Sequence, residues 1–143
     1  MHILIINGPN INFLGKREPE IYGNRSYDEL LKTIKTEADA LGVTVEFYQS
    51  NHEGDLVDAI QNAYRRADGI IINPAAYTHT SVALLDAVKA VGIPTVEVHL
   101  SDPDTREEFR KISYIRAACI QTFKGFGFDS YIKALHFLTG QTE

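Results

Sequence analysis

Cysteine occurs once, at Cys119, and a single thiol excludes both an intramolecular disulfide and a thiolate metal cluster. A chain without a disulfide framework belongs in a reducing compartment, so a cytoplasmic location is the expectation. Basic residues are outnumbered by acidic ones, with a net charge of −5. A nucleic-acid partner requires a basic face, so none is expected. No stretch approaches the ~20 apolar residues of a membrane helix. The N-terminal MHILIINGPN has neither a basic lead nor a hydrophobic run of signal-peptide length. No membrane contact is expected. Repeats, linkers and low-complexity segments are also missing, so residues 1–143 read as a single domain. A domain of this size buries roughly 70% of its unfolded surface and needs no covalent staples.

Familiar site signatures are absent too. There is no GxGxxG and no GxxxxGK(S/T), which argues against a dinucleotide or nucleoside-triphosphate site. There is no HExxH or comparable ligand spacing, so no metal is expected, and no GxSxG elbow for a serine nucleophile. No lysine falls within an expected buried strand, and Lys124 follows the fifth one, so a desolvated Schiff-base lysine is not indicated. No cofactor is expected.

What the chain does contain is a regular alternation. Ile3 to Ile6 and Gly69 to Ile72 are short unbroken apolar runs, the pattern of strands buried on both faces. Val43, Val45 and Phe47 alternate with polar residues, as in a strand toward an edge. Pro94 to Val98 and Cys119 to Phe123 complete five strands. Between them the spacing predicts helices over Ser26–Leu41, Asp55–Arg66, Ser81–Val91, Arg106–Arg116 and Asp129–Leu138. Ser26 and Glu29 form a capping box, Ser81 is a further cap, and Gly42 and Gly92 are stops. Val57, Ile60 and Tyr64 are expected to face inward on the second helix, and Phe109 and Ile112 to share a side of the fourth. Strand–helix alternation with right-handed crossovers gives a doubly wound five-stranded parallel sheet. Five strands favour the flavodoxin-like order 2-1-3-4-5.

In such sheets ligands bind beyond the carboxyl ends of the strands. Asn7-Gly8-Pro9-Asn10-Ile11-Asn12 follows the first strand, Asn73-Pro74-Ala75-Ala76-Tyr77-Thr78-His79 the third, and His99-Leu100-Ser101 the fourth, with Glu97 inside that strand. Amides, hydroxyls and imidazoles converging at one place suit a polyol or carboxylate ligand and proton transfer. Glu97 and His99 lie two residues apart on a strand and therefore on one face. The loop FLGKREPEIYG, residues 13–23, fits neither helix nor strand and brings Arg17 and Tyr22 close behind the first strand.

The stretches NGPNINFLGKREPEIYG, NHEGDLVDAIQNA, IIINPAAYTHTSVALLDA, VEVHLSD and REEFRKISYI span nearly the whole chain. In that order they resemble the type II 3-dehydroquinate dehydratases, cofactor-free hydro-lyases. The resemblance implies dehydration of 3-dehydroquinate to 3-dehydroshikimate by anti elimination through an enolate. It places the reaction in the shikimate pathway of aromatic amino acid biosynthesis or in quinate metabolism. It implies Tyr22 as proton acceptor, with Arg17 on a lid lowering the tyrosine pKa, and His99 as general acid; Glu97, on the same strand face, would orient the imidazole or hold its proton. Asn12 would stabilise the enolate, and Asn73, His79, Leu100, Ser101 and Arg110 would bind substrate. Ser101 would receive the carboxylate beside the start of the next helix. The resemblance further implies a homododecamer, a tetramer of trimers in which Asp86 reaches the neighbouring subunit's site. Asp102 stands where the family more often has asparagine; it caps the next segment or weakens anion binding. KGFGF, residues 124–128, has no reading of its own. A flavodoxin-like binding module, or a lyase or isomerase of a related cyclic polyol, stays open as the alternative.

Overall fold

The computed structural model describes residues 1–16, Glu20 and residues 25–140. Arg17 and Tyr22 lie outside the described residues. Five strands, β1 (His2–Asn7), β2 (Thr44–Gln49), β3 (Gly69–Asn73), β4 (Thr95–His99) and β5 (Gln121–Lys124), form one parallel sheet. Their order is β2-β1-β3-β4-β5, as the alternation predicts. Among the described residues, four helices cover it: α1 (Tyr27–Leu41), α2 (Glu53–Asn62), α3 (Val82–Val91) and α4 (Asp129–Leu138).

The strand period of two sorts the core onto two faces. Ile3, Ile5, Ile71, Val96 and Val98 pack against Leu30, Ile34, Tyr131 and Leu135 of α1 and α4. Leu4, Ile6, Ile70 and Ile72 pack against Leu56, Ile60, Leu84 and Val88 of α2 and α3. Central strands buried on both sides therefore read as continuous apolar runs, whereas β2, at the edge, alternates exposed and half-buried residues. The caps are as expected. Ser26 and Glu29 close a capping box, Ser81 Oγ accepts from the Leu84 amide at 3.0 Å, and Gly42 and Gly92 end their helices at positive φ. No helix among the described residues is long and apolar enough to cross a membrane.

Three expectations are corrected. Residues 106–116 form no continuous helix but 3-10 turns at Glu108–Lys111 and at Ile115–Ala118 after it, with Ile112 extended between them. The break is bonded elsewhere: the Tyr114 amide donates to Thr78 O at 2.9 Å and His79 Nδ1 bonds Ile112 O at 2.7 Å. Phe109 and Ile112 are accordingly exposed rather than packed on a common side. The second helix runs over Glu53–Asn62 and ends short of Tyr64, which is exposed; Leu56, Ala59 and Ile60 fill its inner face. The fifth strand starts at Gln121 and includes Lys124 as its last residue.

Candidate active site

The turns after β1 and β3 touch at Gly8. A Cβ there would lie 2.5 Å from Pro74 O, and the Gly8 amide donates to Asn73 O at 2.8 Å, so this approach admits only glycine. Ala75 adopts φ 55°, a left-handed conformation that costs an alanine about 1 kcal/mol. Asn73 Oδ1 holds it by accepting from the Ala75 amide at 3.0 Å. These turns and the end of β4 enclose a cleft of about 150 Å³ lined by Pro9, Asn10, Ile11, Asn73, Ala75, Ala76, His79, His99, Leu100, Ser101, Pro103, Arg106 and Arg110.

Six of the residues expected at the site line this cleft: Asn73, His79, His99, Leu100, Ser101 and Arg110. Asn12 follows the lining residues of its turn and is held by Gln49 Nε2, which donates to Asn12 Oδ1 at 3.3 Å. Glu97 lies beneath the lining, fully buried. Asp86 is exposed on α3 and is not among the residues lining the cleft. Arg106 lines the cleft as well. The segment after Ser101 is a three-residue 3-10 turn, Pro103–Thr105, so no helix N-terminus faces that serine.

His99 is buried, and its Nε2 meets Glu97 Oε2 at 2.5 Å. That contact leaves Nδ1 as the ring nitrogen not engaged by Glu97. The carboxylate has four further partners. Thr78 Oγ1 and Ser113 Oγ donate to Oε2 at 3.1 and 2.8 Å, and Thr122 Oγ1 donates to Oε1 at 3.2 Å. Arg116 forks across both oxygens, with Nε at 3.0 Å from Oε1 and Nη2 at 3.3 Å from Oε2. Burial pushes the Glu97 carboxyl up, but the hydrogen bonds and charges of His99 and Arg116 outweigh it and hold the group well below the usual carboxylate range. Glu97 is thus a charged, fully hydrogen-bonded anchor for the imidazole.

His79 bonds the Ile112 carbonyl through Nδ1. A carbonyl only accepts, so Nδ1 carries the proton and Nε2 is left as an acceptor toward the cleft. Burial lowers the His79 pKa, which favours this neutral form. Arg110 is oriented by Glu107, whose Oε1 accepts from Nε at 2.6 Å, and by the Phe109 ring. Asn73 has a second set of contacts on the opposite face of the sheet from Glu97. Its Nδ2 donates to Tyr131 Oη at 3.0 Å, and that hydroxyl donates to Asn7 Oδ1 at 2.6 Å.

Both open questions of the sequence meet at the β4 end. Asp102 Oδ1 accepts from the Asp104 amide at 3.0 Å, so Asp102 does cap the next turn. Lys124 pairs with Asp104 and, at 3.6 Å, with Asp102, which draws a compensating cation to both acids. KGFGF is a buttress. Gly125 and Gly127, at φ 86° and 60°, turn the chain so that their amides reach His99 O and Leu100 O, and buried Ser130 Oγ also donates to His99 O, at 2.9 Å.

Sequence reasoning missed Arg116, Thr78, Ser113 and Thr122 around Glu97, and Tyr131 beneath Asn7 and Asn73. One signal was available: a glutamate inside an otherwise apolar strand needs a cation and several donors close by.

A doubly wound parallel sheet with an imidazole–carboxylate pair under a polar cleft at its strand ends defines an α/β enzyme of acid–base chemistry on a small polar ligand. The family model for dehydroquinase class II matches residues 1–139, and the chain belongs to that family, the type II 3-dehydroquinate dehydratases. It is 54% identical over 135 residues to a 3-dehydroquinate dehydratase of Clostridium acetobutylicum, covering 94% of each chain. It is 56% identical over 137 residues to that of Caldicellulosiruptor bescii, covering 95% of this chain and 94% of the other. The crystal structure of a type II dehydroquinase from Butyrivibrio crossotus superimposes with a TM-score of 0.95 at 49% identity, over 96% of this chain and 97% of the other.

Proposed function

We propose that this protein dehydrates 3-dehydroquinate to 3-dehydroshikimate by an anti elimination through an enolate. The observation that carries the reading is the buried Glu97–His99 pair opening onto the cleft, in a chain of this family. Tyr22 removes the proton next to the ring ketone, and the electrons of the broken C–H bond form the enolate. An ordinary tyrosine has a pKa near 10, so only ~0.1% is phenolate at pH 7. The Arg17 guanidinium supplies the depression that makes it a usable base. Asn12 stabilises the enolate oxygen. The enolate then expels the hydroxyl, which takes its proton from His99 and leaves as water, while the ring double bond forms. Glu97 keeps the imidazole oriented throughout.

His79 Nε2 accepts from a ring hydroxyl, Asn73 has one amide hydrogen left for another, and Ser101 with Arg110 and the Leu100 backbone takes the carboxylate. Among the described residues, no lysine lines the cleft, which supports a route without an imine. Exposed Asp86 serves the neighbouring subunit of a trimer, four of which make a homododecamer.

Purified protein mixed with 3-dehydroquinate, with no metal or cofactor added, is expected to develop the ultraviolet absorbance of the conjugated enone. Tyr22→Phe should abolish that rise without changing the fold. Borohydride added with substrate should leave activity intact. No turnover by the wild-type protein, or inactivation by borohydride, would refute the reading. Light scattering of the purified protein checks the dodecamer.

A further inference from the structure

The bond between His99 and Glu97 accounts for only part of what surrounds that carboxylate. Glu97 is the one glutamate buried completely among the described residues. Its two oxygens would otherwise hold a full negative charge in a low-dielectric interior, directly against the proton that His99 must release. Such a carboxylate, left with no other cation, would attract the imidazolium proton and make His99 a poorer acid. Arg116 changes this balance. Its planar fork engages both oxygens, at 3.0 and 3.3 Å, from the 3-10 turn Ile115–Ala118. Its side chain is about one-third exposed (34%) and it does not line the cleft, so it reaches the carboxylate from behind and cannot touch bound substrate there. Lysine, a point charge, could not match both oxygens in this way.

We infer that Arg116 is a positioning residue for the proton donor: it neutralises and orients Glu97 so that His99 can give up its proton and take it back. The inference rests on the acid role proposed for His99. The charges facing the pair are few. Arg116 and His99 flank Glu97 directly, Asp104 acts on Arg116 from the Pro103–Thr105 turn, and His79 lies across the cleft. Cys119 faces Glu97 and Arg116 as a neutral thiol, since burial pushes it up to about 12. Arg116 is therefore the fixed cation of the cluster when the imidazole is neutral.

Two substitutions and two readouts test this. Arg116→Gln keeps donors and removes the charge; Arg116→Lys keeps the charge and removes the fork. With 3-dehydroquinate, Arg116→Gln should lower kcat about tenfold, the equivalent of one pKa unit, with KM unchanged. The alkaline limb of its pH profile, where the proton donor is lost, should move up by about one unit, because Glu97 without Arg116 holds the imidazolium proton more tightly. Arg116→Lys should restore the position of the limb and part of kcat. The second readout needs no turnover: the Glu97 side-chain carboxyl, followed by carbon NMR in the substrate-free protein, should titrate at higher pH in Arg116→Gln than in wild type. A Glu97 titration and a kcat profile unmoved by Arg116→Gln would overturn the inference, as would identical behaviour of the Gln and Lys variants. If Arg116→Gln does not fold, Arg116→Lys decides, since a wild-type kcat in that variant also overturns it. Failure of the wild-type protein to turn over substrate would instead refute the proposed reaction, and it would be seen before any variant is made.

Discussion

Two buried polar clusters sit on opposite faces of the same sheet, at the same ends of its strands, and they are made differently. On the face of α1 and α4, Asn7, Asn73 and Tyr131 form a neutral chain of hydrogen bonds, in which the tyrosine hydroxyl donates to one amide and accepts from the other. On the face of α2 and α3, Glu97 gathers His99, Arg116 and three hydroxyl groups around a charge. Neutral bonds suffice to fix where the ends of β1 and β3 lie. They cannot move a proton near neutral pH, because burial has pushed the Tyr131 phenol well above its ordinary value. The charged cluster carries the imidazole of His99. In the proposed mechanism, position is thus set on one side of the sheet and acidity on the other.

The largest expected effect falls on the charged side. His99→Ala should reduce kcat by about 10²–10⁴-fold, the usual worth of a placed general acid, with the fold unchanged by circular dichroism. The neutral side should answer in stability. Tyr131→Phe leaves Asn7 Oδ1 and an Asn73 amide hydrogen buried without their partner, a cost of about 2 kcal/mol in denaturant unfolding. A wild-type unfolding midpoint in that variant would remove the structural role assigned to the cluster.

The two clusters should also fail at opposite ends of the pH scale. The Glu97 carboxyl is held below its ordinary 4.5. Its contribution to stability is therefore complete above pH 4.5 and is lost as pH falls through the lower folded value. The Tyr131 phenol is raised above 10.0, so its contribution is complete below pH 10.0 and is lost as pH rises through the higher folded value. Unfolding midpoints measured across pH should show both limbs. Tyr131→Phe should flatten the alkaline one only, and a flattened acid limb in that variant would blur the distinction drawn here.

The smallest effect concerns the buttress behind His99. Lys124 is partly exposed, so losing its pairs with Asp102 and Asp104 in Lys124→Met should cost no more than about 1 kcal/mol. The turn after Ser101 would be freer, and KM for 3-dehydroquinate should rise while kcat stays near wild type. A fall in kcat with KM unchanged would mean that Lys124 acts on His99 rather than on the substrate-binding turn.

Most of the fold can be read along the chain, because its signals are local. Ile3–Ile6 and Gly69–Ile72 announce central strands, Ser26 with Glu29 announces a helix start, and Gly42 and Gly92 mark the stops. The main failure has a tertiary cause. Residues 106–116 carry a helical spacing, yet Ser113 and Tyr114 bond to Glu97 and to Thr78 O, and tertiary bonds override a weak local preference. The site divides the same way. His99, His79, Asn73 and Ser101 stand just beyond apolar runs, where a parallel sheet presents its ligand-binding groups. Arg116, Thr122 and Tyr131 reach the site through long-range packing of β5, α4 and the Ile115–Ala118 turn against β4, and no spacing in the sequence encodes that meeting.

The comparison of the two clusters comes down to one number measured in two variants. At a temperature where both are folded, kcat for 3-dehydroquinate should fall by at least about 100-fold in Glu97→Gln, which loses the charge that anchors His99. It should remain close to the wild-type value in Tyr131→Phe, which loses only a positioning bond. Comparable losses in the two, or the larger loss in Tyr131→Phe, would contradict the assignment of acidity to the Glu97 cluster.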